Sequence, residues 1–359
     1  MFSTSNPIRV LVVDDSAVAR NLITKGLASH PNIQVIGTAI NALDAKNKIL
    51  RFSPDVVTMD VEMPGTSGID FLKQFLPSHP LPVILVSSLN LRVFDALAAG
   101  AVDFVRKPDG TESVSSFIHS LAQKITIASC AKVRSPVVRS TTPPSPAVHI
   151  PQPTASPLLG NIPGSFLNDT IIGLGASTGG TEATLEVLKR LPADIPGMVI
   201  VQHMPVGFTQ MYAQRLNRLC QMEVREAVHG DEIHRGLALI APADYQTRVV
   251  RIGNRYTVSC LPGEKVSGHR PSVDVLFSSM ASAVKCHMVG IIMTGMGRDG
   301  ASGLLEMRKA GAYTIGQDKD SCVVYGMPGV AQEIGAVTIQ ASCENIASVL
   351  MTHLKKGNG

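Results

Sequence analysis

The stretch IRVLVVDDS, residues 8–16, carries five apolar residues in its first six positions and ends on two adjacent carboxylates, Asp14 and Asp15. A short apolar run closed by a polar cluster reads as a buried strand, with the carboxylates at its C-terminal end. The same unit recurs downstream, with candidate strands at Val35–Thr38, Val56–Met59, Val83–Val86 and Asp103–Val105. Helical patterns separate them, such as Ala17–Ala28, where Val18, Leu22 and Ile23 share one face. Five strands alternating with five helices predict an α/β domain over residues 1–127, a five-stranded parallel sheet covered on both faces.

Composition then shifts. From Ala131 to Phe166 the chain is rich in Pro, Ser and Thr, as in TTPPSPAVHIPQPTASP. Proline suits neither helix interiors nor central strands, so residues 128–168 are expected to form an extended linker. The αβ rhythm resumes at Thr170 and predicts a second domain over residues 169–356, doubly wound. Its candidate strands are Thr170–Leu174, Met198–Val201, Leu237–Ile240, Val289–Met293 and Tyr313–Ile315, with helices at Thr181–Leu191 and Ala301–Ala310. Residues 247–261 alternate around Gly253-Asn254 and predict a β-hairpin.

Bulk properties narrow the class. Hydrophobic residues make up 45% of 359 residues and charged ones 17%, enough for two cored domains rather than a disordered chain. The net charge of +4 is too small to point to nucleic acid. The six cysteines, Cys130, Cys220, Cys260, Cys286, Cys322 and Cys343, form no Cys-x-x-Cys pair and no zinc spacing. With no leader pattern at the start and no apolar run of bilayer length, the expectation is a reduced, cytoplasmic protein without membrane insertion.

The first domain places chemistry at its strand ends. Asp14 and Asp15 follow the first strand and Asp60 follows the third, and ligands in open parallel sheets bind beyond those ends. Three carboxylates in one pocket need a cation, and an all-oxygen set suits Mg²⁺. Ser87 and Lys107, at two further strand ends, can bind phosphoryl oxygens around Asp60, which would act as the phosphate-accepting nucleophile. These residues resemble the receiver domain of two-component response regulators, a flavodoxin-like fold. The resemblance rests on VLVVDDS (10–16), VTMDVEMPGTSGIDFL (57–72), VSS (86–88) and GAVDFVRKP (100–108). It implies phosphorylation of Asp60 by a histidine kinase. It also implies Mg²⁺ held by Asp15, Asp60 and the Glu62 carbonyl with Asp14 acting through water, and Ser87 and Phe104 as the pair that reorients on phosphorylation. Gly65-Thr66-Ser67-Gly68 departs from the usual basic-acidic pattern after Met-Pro, which bears on partner contacts more than on the chemistry.

In the second domain, Gly175, Ser177 and Gly179 give a G-x-S-x-G spacing between a strand and a helix. Alone, this turn is equally a nucleophile elbow, an anion-binding turn or a structural bend. The glycines do not fit G-x-G-x-x-G, and no lysine follows as in a phosphate-binding loop. His203 after one strand and Asp299 after another would give a serine, a base and an orienting carboxylate in one cleft. The chain order Ser, His, Asp differs from both α/β-hydrolases and subtilisin-type enzymes.

This half is similar to the catalytic domain of the CheB chemotaxis methylesterases, through GLGASTGGTEA (173–183), VIVQHMP (199–205), HGDEIHRGLALIAPAD (229–244), HRPSVDVLFSSMA (269–281) and MTGMGRDGASGL (293–304). The resemblance implies Ser177 as nucleophile, His203 as base and Asp299 as its partner. It further implies oxyanion donation near Met296 and Gly297, Thr178 hydrogen-bonded near His203, and His269, Arg270 and Pro271 as substrate contacts.

The expected function is phosphorylation-activated hydrolysis of glutamate γ-methyl esters on chemoreceptor cytoplasmic helices, with deamidation of specific glutamines. Two other classes stay open at this point. One is a receiver fused to a small-ester hydrolase. The other is a non-enzymatic regulator, against which stands the lack of a helix-turn-helix pattern or a concentrated basic stretch.

Overall fold

The computed structural model describes residues 6–88, 92–108, 113–133 and 164–356. Most of the expected linker lies outside the described residues.

The first domain runs β1 (Ile8–Val13), α1 (Ala17–Leu27), β2 (Ile33–Ala39), α2 (Ala42–Phe52), β3 (Val56–Asp60), α3 (Gly68–Phe75), β4 (Val83–Ser87), α4 (Arg92–Ala98), β5 (Asp103–Arg106) and α5 (Val114–Ala128). Its parallel sheet has the order β2-β1-β3-β4-β5. Successive residues of a strand point to opposite faces, which explains the unbroken apolar runs. Leu11, Val13, Val57 and Met59 enter one core, and Val10, Val12, Val56 and Ile84 the other. Polar side chains start the helices: Ser16, Asn41, Ser67 and Ser113 each accept a backbone N–H in the first turn of α1, α2, α3 and α5.

The second domain opens with a helical turn, α6 (Gly164–Asn168), inside the stretch expected to be linker. Leu167 is fully buried there, Phe166 packs against the His287 ring at 4.6 Å, and the Phe166 carbonyl accepts from the Thr170 hydroxyl. The expected linker therefore gives way to the second domain by Gly164. There follow β6 (Thr170–Ala176), α7 (Gly180–Leu188), β7 (Gly197–Gln202), α8 (Phe208–Leu219), β8 (Glu223–Glu226) and β9 (Leu237–Ile240). After the hairpin β10 (Gln246–Ile252) and β11 (Arg255–Leu261) come α9 (Val273–Ala283), β12 (His287–Ile292), α10 (Ala301–Lys309), β13 (Tyr313–Gln317), α11 (Met327–Glu333), β14 (Ile339–Ala341) and α12 (Ile346–Lys356).

The large sheet is parallel, in the order β14-β13-β12-β6-β7-β9-β8. The chain leaves β6 toward β7 on one side and returns through β12 on the other, so the crevice of the sheet opens beyond the C-terminal ends of β6, β7 and β12. The edge strands β8 and β14 escape the sequence pattern. One is EVRE, with only Val224 buried, and the other has three residues. The hairpin forms where expected, with Val249 opposite Val258.

The two domains share a core. Phe104 of β5 packs on Phe208 of α8 at 4.6 Å, and Phe94 of α4 stacks on Tyr212 at 5.7 Å, with the Arg215 guanidinium 5.8 Å from the Phe94 ring centre. No described helix is long and apolar enough to cross a membrane.

Candidate active site and phosphoacceptor pocket

Ser177 stands one residue beyond β6 and is half-buried. Its backbone N–H donates to the Thr294 carbonyl at 2.9 Å, tying it to the loop after β12. The turn then passes through Gly179, which adopts φ +75° to start α7, a conformation that side chains with a Cβ rarely take. Gly295 is needed for a different reason: a Cβ there would lie 2.7 Å from the Ser177 Cβ.

His203 follows β7, its backbone N–H bonded to the Ala176 carbonyl at 3.1 Å. Gln202 clamps the two loops, donating through Nε2 to the Ser177 carbonyl at 2.8 Å and to the His203 carbonyl at 3.3 Å. His203 Nε2 lies 2.9 Å from Asp299 Oδ2. The carboxylate accepts this N–H, so the lone pair belongs to Nδ1, which is buried with no hydrogen-bond partner among the described residues. Nδ1 is thus the atom left to take a proton. The Ser177 hydroxyl has no hydrogen bond among the described residues either, and such bonds are often loose before substrate arrives.

Asp299 is 1% exposed. Besides His203 it accepts from the Ser272 hydroxyl at 2.6 Å and from the backbone N–H groups of Val273 at 2.8 Å and Asp274 at 3.1 Å. It therefore sits at the N-terminus of α9, where exposed N–H groups favour negative charge. Burial pushes its carboxyl up, but the His203 bond and these donors outweigh it and hold the group below the ordinary value of 3.8. A carboxylate depressed by folding contributes stability above its unfolded pKa and loses it as pH falls through the folded one. The stability gap between the wild type and Asp299→Asn in denaturant unfolding is therefore expected to be widest near neutrality and to narrow below about pH 4.

His269 stacks face to face on His203, with centroids 3.8 Å apart. Burial, and then the neighbouring His203, push its imidazole down to about 4. It is neutral at physiological pH and does not oppose a proton arriving on His203. Arg270 is held by Asp244 and donates to the Gly263 carbonyl at 2.7 Å. Met296 is half exposed, Gly297 adopts φ +83°, and neither backbone N–H is engaged among the described residues. Ser177, His203, His269, Arg270 and Pro271 line one cavity of about 370 Å³, whose other wall is the first domain through Arg106, Lys124 and their neighbours.

Thr178 departs from expectation. Its hydroxyl donates to Asp103 Oδ2, across the domain boundary, at 2.7 Å and not toward His203. The sequence offered no sign of this, because a strand-end aspartate in one domain does not announce a partner in the other. Nor was there a sign that Ser272, the N-cap of α9, donates to Asp299.

In the first domain, ligand oxygens of Asp14, Asp15 and Asp60 lie within 4.8 Å of one another. Lys107 Nζ bridges Asp14 at 2.8 Å and Asp60 at 2.6 Å. Burial and the Asp14 charge push the Asp60 carboxyl up while Lys107 opposes them. The Glu62 N–H donates to Asp60 Oδ1 at 3.1 Å. Ser87 is fully buried, and its hydroxyl has no partner among the described residues. An oxygen-only trio with one exposed member, Asp15, fits a hydrated divalent cation.

Residues 172–350 match the CheB methylesterase family and residues 10–118 the response regulator receiver domain. The chain is 48% identical to a protein-glutamate methylesterase/protein-glutamine glutaminase 2 of Syntrophomonas wolfei, over 96% of each chain. It is 45% identical to the corresponding protein of Syntrophotalea carbinolica, over 95% of this chain and 96% of that one. The solved CheB methylesterase catalytic domain of Thermotoga maritima superposes with a TM-score of 0.50 at 33% identity, covering 51% of this chain and 97% of that one. With both domains matched in order and the relatives aligned nearly end to end, the chain belongs to the CheB methylesterase family, with a receiver domain in front of the catalytic one.

Proposed function

We propose that the protein hydrolyses glutamate γ-methyl esters, and deamidates specific glutamines, on chemoreceptor cytoplasmic helices, under control of phosphorylation at Asp60. The observation that carries the reading is the His203–Asp299 bond, which leaves a buried Nδ1, unpartnered among the described residues, beside the strand end that bears Ser177. Ser177 Oγ attacks the ester carbonyl as His203 Nδ1 takes its proton. Asp299 stabilises the resulting imidazolium through Nε2–H. The N–H groups of Met296 and Gly297 serve the oxyanion. Methanol leaves with the proton from Nδ1, and water resolves the glutamyl-enzyme by the same steps. With a glutamine side chain, ammonia is the leaving group. Methanol release from methylated receptor membranes tests the activity.

Asp60 accepts phosphate from a histidine kinase. Asp14, Asp15 and Asp60, with the Glu62 carbonyl, would hold Mg²⁺, which supplies neutralising charge for the phosphoryl group. Ser87 and Lys107 bind phosphoryl oxygens. The domain limits follow as 1–127 for the receiver, a linker, and a catalytic part beginning at Gly164, working in the cytoplasm.

The receiver packs beside the cleft through β5, α4 and α5, and this supports obstruction of a bulky substrate in the resting state. A linker of roughly 35 residues reaches at most about 110 Å and so imposes no contact by itself. A fragment beginning at Gly164, so that Phe166 and Leu167 stay packed, should hydrolyse receptor esters at least about tenfold faster than the unphosphorylated full chain. A folded fragment no faster than the full chain would defeat the obstruction reading.

A further inference from the structure

Two strands of the large sheet end on a buried glutamine. Gln202 is the last residue of β7 and Gln317 the last of β13, and in the order β13-β12-β6-β7 they bracket the strand ends that lead to Ser177 and Thr294. Gln202 is 2% exposed and Gln317 is fully buried. A buried amide costs stability unless its donors and acceptor are met. These two differ in that respect.

The Gln317 amide is engaged on both sides. Its Oε1 accepts the Thr294 N–H at 2.8 Å, and its Nε2 donates to the Ser321 carbonyl at 2.9 Å. The Gln202 amide is engaged on one side. Its Nε2 donates to the Ser177 and His203 carbonyls, while its Oε1 is buried with no partner among the described residues. The amide cannot turn over, because two carbonyl oxygens require its NH₂ face. A Cβ at Gly180, the first residue of α7, would lie 2.3 Å from that oxygen, so the helix start lacks a side chain where the amide sits. The Ser177 carbonyl does not depend on Gln202, since it also accepts the Gly180 N–H at 2.7 Å. An apolar side chain of the same length would fill the space without stranding an acceptor.

Packing therefore does not account for an amide here, but its two bonds do. One planar group ties the backbone of the nucleophile to the backbone of the base, and no other side chain among the described residues bonds to both. The far side of the imidazole is fixed separately, by Asp299.

We propose that Gln202 is a positioning residue of the esterase. Its amide sets the separation between Ser177 Oγ and His203 Nδ1 across which the proton passes, at some expense in stability. Transfer over a hydrogen bond is sensitive to placement, and a displacement of about 1 Å can cost roughly 10²-fold in rate. The inference rests on the esterase reading above and adds a residue outside the triad.

The test uses the phosphorylated full-length protein and methanol release from methylated receptor membranes. Gln202→Met, close in length and without an N–H, is expected to lower kcat roughly 10²-fold. KM is expected to stay within about twofold, because substrate binding is not what the amide serves. Its thermal melt should stay at or above the wild-type position. Gln317→Met, which strands the buried Thr294 N–H, should melt lower. The acid limb of the kcat/KM pH profile should not move in Gln202→Met, because the amide bonds to the backbone of His203 and not to its ring. Gln202→Glu keeps the shape but sets oxygens against the two carbonyls; it should lose at least as much kcat, and it carries the comparison if Gln202→Met does not fold. The proposal is overturned if a folded Gln202 variant keeps the wild-type kcat, if its loss lies in KM, or if neither variant folds, which would make the amide a requirement of the fold. Failure of the esterase reading looks different and takes the proposal with it: the phosphorylated wild type would itself release no methanol.

Discussion

Ser177→Ala is expected to reduce methanol release from methylated receptor by at least about 10⁴-fold while the thermal melt stays at the wild-type position. The variant deletes one half-buried oxygen that no hydrogen bond engages among the described residues, so it leaves no buried donor or acceptor stranded. His203→Ala is expected to be as damaging, because nucleophile and base act as a unit. Asp299→Asn differs in kind. The amide keeps the shape, but it cannot stabilise the imidazolium, and it meets the Ser272 hydroxyl and the Val273 and Asp274 N–H groups with one acceptor oxygen where the carboxylate has two. Some turnover should remain, with a measurable loss of stability. Near wild-type turnover in folded Ser177→Ala protein would remove the serine from the mechanism altogether.

The parts of the site that were legible in the sequence are those carried by strand ends. A buried apolar run followed at once by Asp14, Asp60, Ser177 or His203 places the side chain on the functional edge of a parallel sheet, whatever the exact register. Strand limits were legible for the same reason: Ile8–Val13 and Leu237–Ile240 are buried enough to leave little choice. What failed to show was chemistry between elements distant in the chain. Asp103 and Thr178 are 75 positions apart, and each looks like an ordinary strand or turn residue. The short helix at Gly164–Asn168 was hidden by the proline-rich stretch before it, although Phe166 and Leu167 were the apolar residues able to anchor it. Edge strands such as Glu223–Glu226 bury one side chain, and so give no run to read.

The largest regulatory effect is expected from Asp60→Asn. Incubated with a phosphodonor, the wild type should acquire an acid-stable, hydroxylamine-labile acyl phosphate, and the variant's label should fall to background. Chelating divalent cations should do the same to the wild type, since the trio of Asp14, Asp15 and Asp60 needs a counter-charge before a phosphoryl group can approach. The substitution is nearly isosteric, and Lys107 keeps its bond to Asp14, so the pocket should hold its shape. Hydrolysis of receptor esters by the variant is then expected to stay at the resting level with or without phosphodonor. The reason lies in how the signal has to travel. A phosphoryl group on Asp60 would present oxygens to the buried Ser87 hydroxyl at the end of β4, which has no partner among the described residues. On the switch that the receiver resemblance implies, Ser87 would move toward the phosphoryl group and Phe104 of the adjacent β5 would turn away from Phe208. An asparagine there offers Ser87 no such oxygens, so the aromatic contact and the closed cleft persist. Label appearing on a residue other than Asp60, or phosphodonor activation surviving in Asp60→Asn, would show that the acidic cluster is not the entry point of the signal.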